Sequence, residues 1–141
     1  MLGKEIGAFM KTIRRADLNI TTAEWAGLSS RTEFPLVRTR VVLACTDPVA
    51  LDYHGAKYIL HPNSRIRVHD PDHVAGPLRQ YLQTCSEEYG GCINEANVQI
   101  HSYDHEKKGM QSDNELAIVR NKQWGHNPKA ILKYLYLRAF A

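Results

Sequence analysis

Apolar residues recur along this chain with two different periods. Leu2, Ile6, Phe9, Met10 and Ile13 fall at helical spacing and predict an amphipathic helix of about three turns. Leu18 to Thr22 reads as a short strand. Residues 23–35, with Gly27, Ser29, Ser30 and Pro35, read as a surface loop. From Leu36 to Cys45 the pattern starts with alternation, Val37 and Thr39 against Arg38 and Arg40. It then becomes continuously apolar through Val41-Val42-Leu43-Ala44-Cys45. A strand covered on both faces has this form, as in a parallel or mixed sheet flanked by helices.

Helical spacing resumes at once. Thr46 or Asp47 can accept from the first free N–H groups of a helix, and Pro48 suits the first turn because its missing N–H is not needed there. Val49, Ala50, Leu51, Tyr53, Ala56, Ile59 and Leu60 give that helix a broad apolar surface, and Pro62 is expected to end it. A loop follows over residues 63–71, with a candidate strand at Ile66-Arg67-Val68. Pro77 then opens a second helix whose stripe is Leu78, Tyr81, Leu82, Cys85 and Tyr89, stopped by Gly90-Gly91. Val98 and Ile100 alternate with polar neighbours and suggest a half-exposed strand. Residues 104–114 predict a mobile polar loop, and Glu115 to Arg120 a further strand. A last helix begins at Asn127-Pro128 and is apolar almost all round through Ile131, Leu132, Tyr134, Leu135, Tyr136, Leu137 and Phe140. Such a surface is expected to be buried, here by docking on a second copy of the chain or on missing chain.

These elements predict a single α/β domain over residues 1–141, with a mixed sheet whose buried central strand (about 36–45) is covered by helices. Composition agrees. A chain of 141 residues that is 43% hydrophobic and 23% charged can bury a core without staples. The formal net charge of +3 is small and its basic residues are scattered, so nucleic acid is not an expected partner. No stretch approaches the ~20 apolar residues of a membrane span. Charged residues interrupt the first fifteen positions, so no targeting signal is read there. The protein is then expected to be cytoplasmic, or exported through an upstream signal.

Candidate chemistry is sparse. The strand-to-helix elbow lies where α/β sheets collect ligands, so Thr46, Asp47 and Asp52 are candidates for binding a polar ligand or a metal. Capping alone explains Thr46 and Asp47. It does not explain Asp52, a carboxylate within a helix that reads as largely buried. His69-Asp70-Pro71-Asp72-His73 offers a second set, with His69, Asp72 and His73 as candidate metal ligands. That run matches no standard ligand spacing, and Asp-Pro loops are common turns. His54, His61, His101, His105 and His126 are scattered and read as ordinary histidines. Cys45, Cys85 and Cys92 form no C-x-x-C motif. They are too few for an iron–sulphur cluster, which needs about four ligands. No common nucleotide-binding or hydrolase signature is present, so the cofactor is left unknown and catalysis undecided.

The run Val42-Leu43-Ala44-Cys45-Thr46-Asp47-Pro48-Val49-Ala50-Leu51-Asp52 resembles the signature of the domain of unknown function 362 family, which has the form apolar-apolar-Ala-Ser-Thr-Asp-Pro-Val-Ala-Leu-Asp. Cys45 replaces the usual serine, and Gly55-Ala56-Lys57 occupies the small-residue segment that follows. The resemblance extends from about Asp17 to about Tyr103. It implies the C-terminal part of a longer domain whose Lys-Thr-His-like and Lys-Asn-like segments are absent here. Some longer members carry ferredoxin-like cysteine clusters and some are exported. This chain has no such cluster, and the family supplies no catalytic residue to carry over. Two functions are therefore expected to compete. One is an enzyme half that binds a polar ligand at the Thr46-Asp47 elbow. The other is an accessory or oligomerisation domain that uses the C-terminal helix.

Overall fold

The computed structural model describes residues 2–28, 35–106, 108–111, 122–123 and 128–140. The chain has an α/β fold. In order it forms α1 (Leu2–Ile13), β1 (Asn19–Gly27), β2 (Leu36–Cys45), α2 (Pro48–Gly55), a π turn (Ala56–Leu60), α3 (His61–Ser64), α4 (Pro77–Tyr89), β3 (Ser102–Asp104), β4 (Gly109–Gln111), β5 (Lys122–Gln123) and α5 (Pro128–Phe140). One sheet has the order β1-β2-β5 and a second pairs β3 with β4; every pairing is antiparallel.

Asn19 lies opposite Cys45, and the β1–β2 ladder runs on to Gly27 opposite Leu36. Residues 23–27, expected in a loop, therefore extend β1; Ala23, Trp25 and Ala26 suit a pleated surface once β2 offers a partner edge. The register slips between Ala23 and Trp25, where Thr39 and Arg40 together face Glu24. This is a β-bulge, and Arg40 takes the left-handed conformation with φ 55°. Thr39, fully buried, turns inward and donates to the carbonyl of Ala23.

β2 is the middle strand of its sheet, but the expectation that it is covered on both faces is corrected. Its burial alternates, and Val42 is 66% exposed. Opposed residues of an antiparallel pair project to the same side. Ile20, Thr22, Val42 and Ala44 thus share an exposed face, while Leu43 turns toward α2 and meets Gly55. An apolar run shows that both faces are apolar, not that both are covered.

Among the described residues two clusters make the core. Val49, Tyr53, Leu82, Cys85 and Tyr89 join α2 to α4, with Ile6 and Met10 of α1 packed against them. The helix predicted at the N-terminus forms, but Leu2, Phe9 and Ile13 are exposed and the buried positions include Gly3 and Gly7. A Cβ at Gly7 would lie 2.9 Å from Glu88 Cβ and 3.0 Å from the Cys85 carbonyl oxygen. Backbone approach to α4, rather than an apolar stripe alone, docks α1. The second cluster is Leu28, Val37, Ile66 and Tyr134.

Pro62 does not end the helix. The backbone widens into the π turn just ahead of it, and the His61 N–H reaches back to the Ala56 carbonyl. The wider register relieves the clash a proline ring makes with the carbonyl four residues earlier. Arg65, with φ 55°, ends the run by donating its N–H to His61. Ile66-Arg67-Val68 is not a strand; a 3-10 turn covers Arg67–His69. Gly90 stops α4 with φ 88° as expected. The strand expected around Val98 and Ile100 begins later, at Ser102, and pairs with β4 inside the segment expected to be mobile. Lys107, residues 112–114 and the strand expected at 115–120 lie outside the described residues.

α5 is not buried all round. Tyr134 is fully buried and donates to the Ser64 carbonyl at 3.0 Å, with Ala130 beside it on the same stripe. Leu132, Leu135, Tyr136 and Phe140 face outward. No helix among the described residues is long and apolar enough to cross a membrane.

Candidate functional site

The elbow between β2 and α2 is built as a cap. Asp47 is extended (φ −101°, ψ 110°), and its Oδ1 accepts from the N–H groups of Val49 and Ala50 at 2.9 and 3.2 Å. Its Oδ2 accepts from the Cys92 N–H at 2.6 Å, which joins the elbow to the segment after α4. Cys45 Sγ accepts from the Asp47 N–H at 3.4 Å, and Asn19 Nδ2 donates to the carbonyls of Cys45 and Thr46. The expectation that Asp47 caps the helix therefore holds. Both of its oxygens are engaged by backbone, and Thr46 is exposed.

Beside this elbow lies a cleft of about 600 Å³. Its walls are Arg40 to Cys45 of β2, then Ala50, Leu51 and His54 of α2, and residues 98–106 opposite. Thr46, Asp47 and Asp52 do not line it. The deepest polar group is His54, only 7% exposed. Its Nδ1 lies 2.8 Å from the Ala50 carbonyl oxygen, which can only accept, so Nδ1 carries the hydrogen. In the neutral ring Nε2 is then an acceptor. Nε2 is buried and has no hydrogen-bond partner among the described residues. At the cleft edge the bulge carries Arg40, whose Nη1 lies 3.6 Å from Glu106 Oε1. Sequence reading missed both residues. The signal for His54 was its position four residues after Ala50 and four before Tyr58, on the apolar side of α2. Arg40 gave none, because the bulge is a property of strand pairing.

Asp52 faces a different place, a groove of about 280 Å³ between the sheet, α2 and α4. The residue is exposed, contrary to the expectation of burial, and has no hydrogen-bond or ion-pair partner among the described residues. Apolar groove walls nonetheless withhold enough solvent from its carboxyl to raise its pKa. Its charge also helps to raise Tyr81 and Cys85, in both of which burial is the larger cause.

The residues proposed as metal ligands are held apart by other bonds. His69 Nδ1 lies 3.0 Å from Ser64 Oγ, and burial, then the nearby His61, lowers the imidazole pKa. Asp72 accepts from Tyr53 Oη at 2.6 Å and pairs with Lys57 Nζ at 2.9 Å. His73 Nδ1 is buried without a hydrogen-bond partner among the described residues, close under Gly76. Among the described residues no group of three or more His, Cys, Asp or Glu is arranged to hold a metal ion. Asp72 belongs instead to a network centred on Lys57, which also reaches Glu95 at 2.6 Å and Tyr53 Oη at 3.2 Å. Burial opposes the Lys57 charge, but these three partners outweigh it and hold the ammonium above its ordinary value. Burial also opposes ionisation of Asp72, and Tyr53 and Lys57 together bring it below its ordinary value. The network ties α2 and its π turn to the loops before and after α4. Cys45, Cys85 and Cys92 are free thiols.

No protein-family profile, curated protein or solved structure matches this chain.

Proposed function

We infer that the chain is an α/β domain of the domain of unknown function 362 type that binds a small ligand in the cleft beside the β2–α2 elbow. The supporting observation is the cleft itself. At about 600 Å³ it falls within the size range of small-molecule sites, and Arg40 to Cys45 of β2 form one of its walls. Asp47 shapes the elbow without touching the ligand, and Asp52 lies outside the cleft. The reading is one of binding and assigns no reaction. Ligand-observed NMR with a library of small ring compounds tests it, using Val98→Trp to fill the cleft from its far wall. Hits that bind the wild type and vanish in the folded variant support the reading. No hits, or hits that persist in the variant, overturn it.

A second reading, an accessory domain that docks through α5, is supported by Leu132, Tyr136 and Phe140, which are 65%, 63% and 78% exposed on its outer side. Light scattering across a concentration series tests it. A monomer at every concentration, unchanged by Tyr136→Ser, counts against self-association.

A further inference from the structure

Asp52 stands alone in an apolar groove. The groove, of about 280 Å³, runs between Thr21 and Ala23 of β1, Leu51 and Ala56 on the α2 side, and Leu78 and Tyr81 of α4. Apart from Asp52, the described residues that line it include no His, Cys, Glu, Lys or Arg. Asp52 is exposed, so a ligand can reach it, and it has no hydrogen-bond or ion-pair partner among the described residues. After burial, which is the larger cause, its charge helps to raise Tyr81 and Cys85, so the carboxylate lies within electrostatic reach of α4. The apolar walls withhold solvent from the carboxylate, and a cation beside it would replace that missing hydration. A lone carboxylate is a poor metal site, because calcium or magnesium takes about six oxygen ligands. No group of three or more ligating side chains is present among the described residues. A compact ammonium on a hydrocarbon tail matches one negative charge set in apolar walls.

We propose that this groove is a binding site in its own right, and that its ligand class is a small primary aliphatic ammonium. The head pairs with the Asp52 carboxylate, and the tail lies along the walls formed by Leu51, Ala56 and Leu78. The groove shares Leu43 and Leu51 with the cleft, but Asp52 belongs to the groove alone. A ligand of the same shape without the charge gains the walls and not the pair.

Hexylammonium and hexanol are suitable probes because they share a tail and differ in charge. Each is titrated into the full chain at pH 7, followed by ¹H–¹⁵N spectra. Hexylammonium should shift the amides of Gly55, Ala56 and Leu78. Wild type is expected to bind it roughly fivefold more tightly than Asp52→Asn does, while hexanol binds the two alike. Should that variant not fold, the Asp52 carboxyl ¹³C resonance of wild type is an independent readout. Its midpoint should fall when hexylammonium saturates the groove and stay put with hexanol. The sheet wall brings no ionisable group to it, and Tyr81 and Cys85 of α4 remain protonated through that pH range. No binding of hexylammonium, equal binding to wild type and Asp52→Asn, or an unmoved Asp52 midpoint overturns the proposal. Tighter binding of a lysine amide blocked at its amino end would assign the groove to a protein side chain and overturn the small-molecule class. Val98→Trp, which fills the cleft, should leave hexylammonium binding unchanged. Loss of binding in that variant would put the ammonium in the cleft and overturn the groove, whereas failure of the cleft to bind ring compounds leaves the groove untouched.

Discussion

The Cys92 N–H donates to Asp47 Oδ2 at 2.6 Å across 45 residues of sequence, while Asp47 Oδ1 caps α2. One carboxylate thus closes a helix and pins the distant segment after α4 to it. Asp47→Ala removes a cap worth about 0.5–2 kcal/mol and leaves the Cys92 N–H unpaired at about 1–3 kcal/mol. The expected loss is about 2–4 kcal/mol by urea denaturation. Asp47→Asn keeps one acceptor and should lose less than half of that. Gly91→Ala should destabilise in the same way, because its Cβ would fall 2.6 Å from both Asp47 Oδ1 and Val49 Cβ.

Asp52 predicts a gain. Its carboxyl pKa is raised in the folded chain from the ordinary 3.8, so the folded state holds its proton more tightly than the unfolded one. Stability from this group is therefore greatest below about pH 3.8 and declines as pH rises through the folded value. Asp52→Asn should raise the melting temperature at pH 7, with the difference shrinking toward zero by pH 3. A variant less stable than wild type at pH 7 would show that the carboxylate has a favourable partner.

Lys57 gathers Tyr53, Asp72 and Glu95, and its side chain is 25% exposed. Its raised pKa gives stability that is complete below 10.5 and is lost as pH rises through the folded value. The lowered Asp72 gives stability that is present above 3.8 and is lost as pH falls through its folded value. Lys57→Met should cost roughly 1 kcal/mol at pH 7, since its partners are partly exposed and screened. It should also flatten both flanks of a stability–pH curve. Unchanged flanks would show that other groups set them.

Arg40 adopts φ 55° inside a strand, a conformation costing about 1–2 kcal/mol for a residue with a Cβ. Arg40→Gly should be neutral or stabilising by up to about 1 kcal/mol, and Arg40→Val should destabilise by more than that, since β-branching resists this conformation. Chemical denaturation of the two variants checks the order. A more stable valine variant would place the bulge elsewhere.

Much of the local structure was legible. The apolar stripe of α4 with Gly90 after it, and the Asp47-Pro48 start of α2, rest on interactions within a few residues, so spacing and side-chain type fix them. Asp47 as a cap was read correctly for that reason. Its bond to Cys92 was not, because nothing local marks which distant N–H comes to a given oxygen. The extension of β1 through Gly27 needed the edge of β2. The passage of the helix through Pro62 needed a π register just ahead of it, which spacing alone does not mark.

By itself the sequence determined an α/β chain, the strand at 36–45, the capped helix after it and the composition of its faces. These follow from the periods of polar and apolar positions and from the φ preferences of proline and glycine. Tertiary structure decided which apolar face is covered. It left Val42 and Phe140 exposed, moved Asp52 out of the cleft and set His54 in it with one nitrogen unpaired. Burial depends on where other elements pack, and that is a long-range property that no window of residues carries.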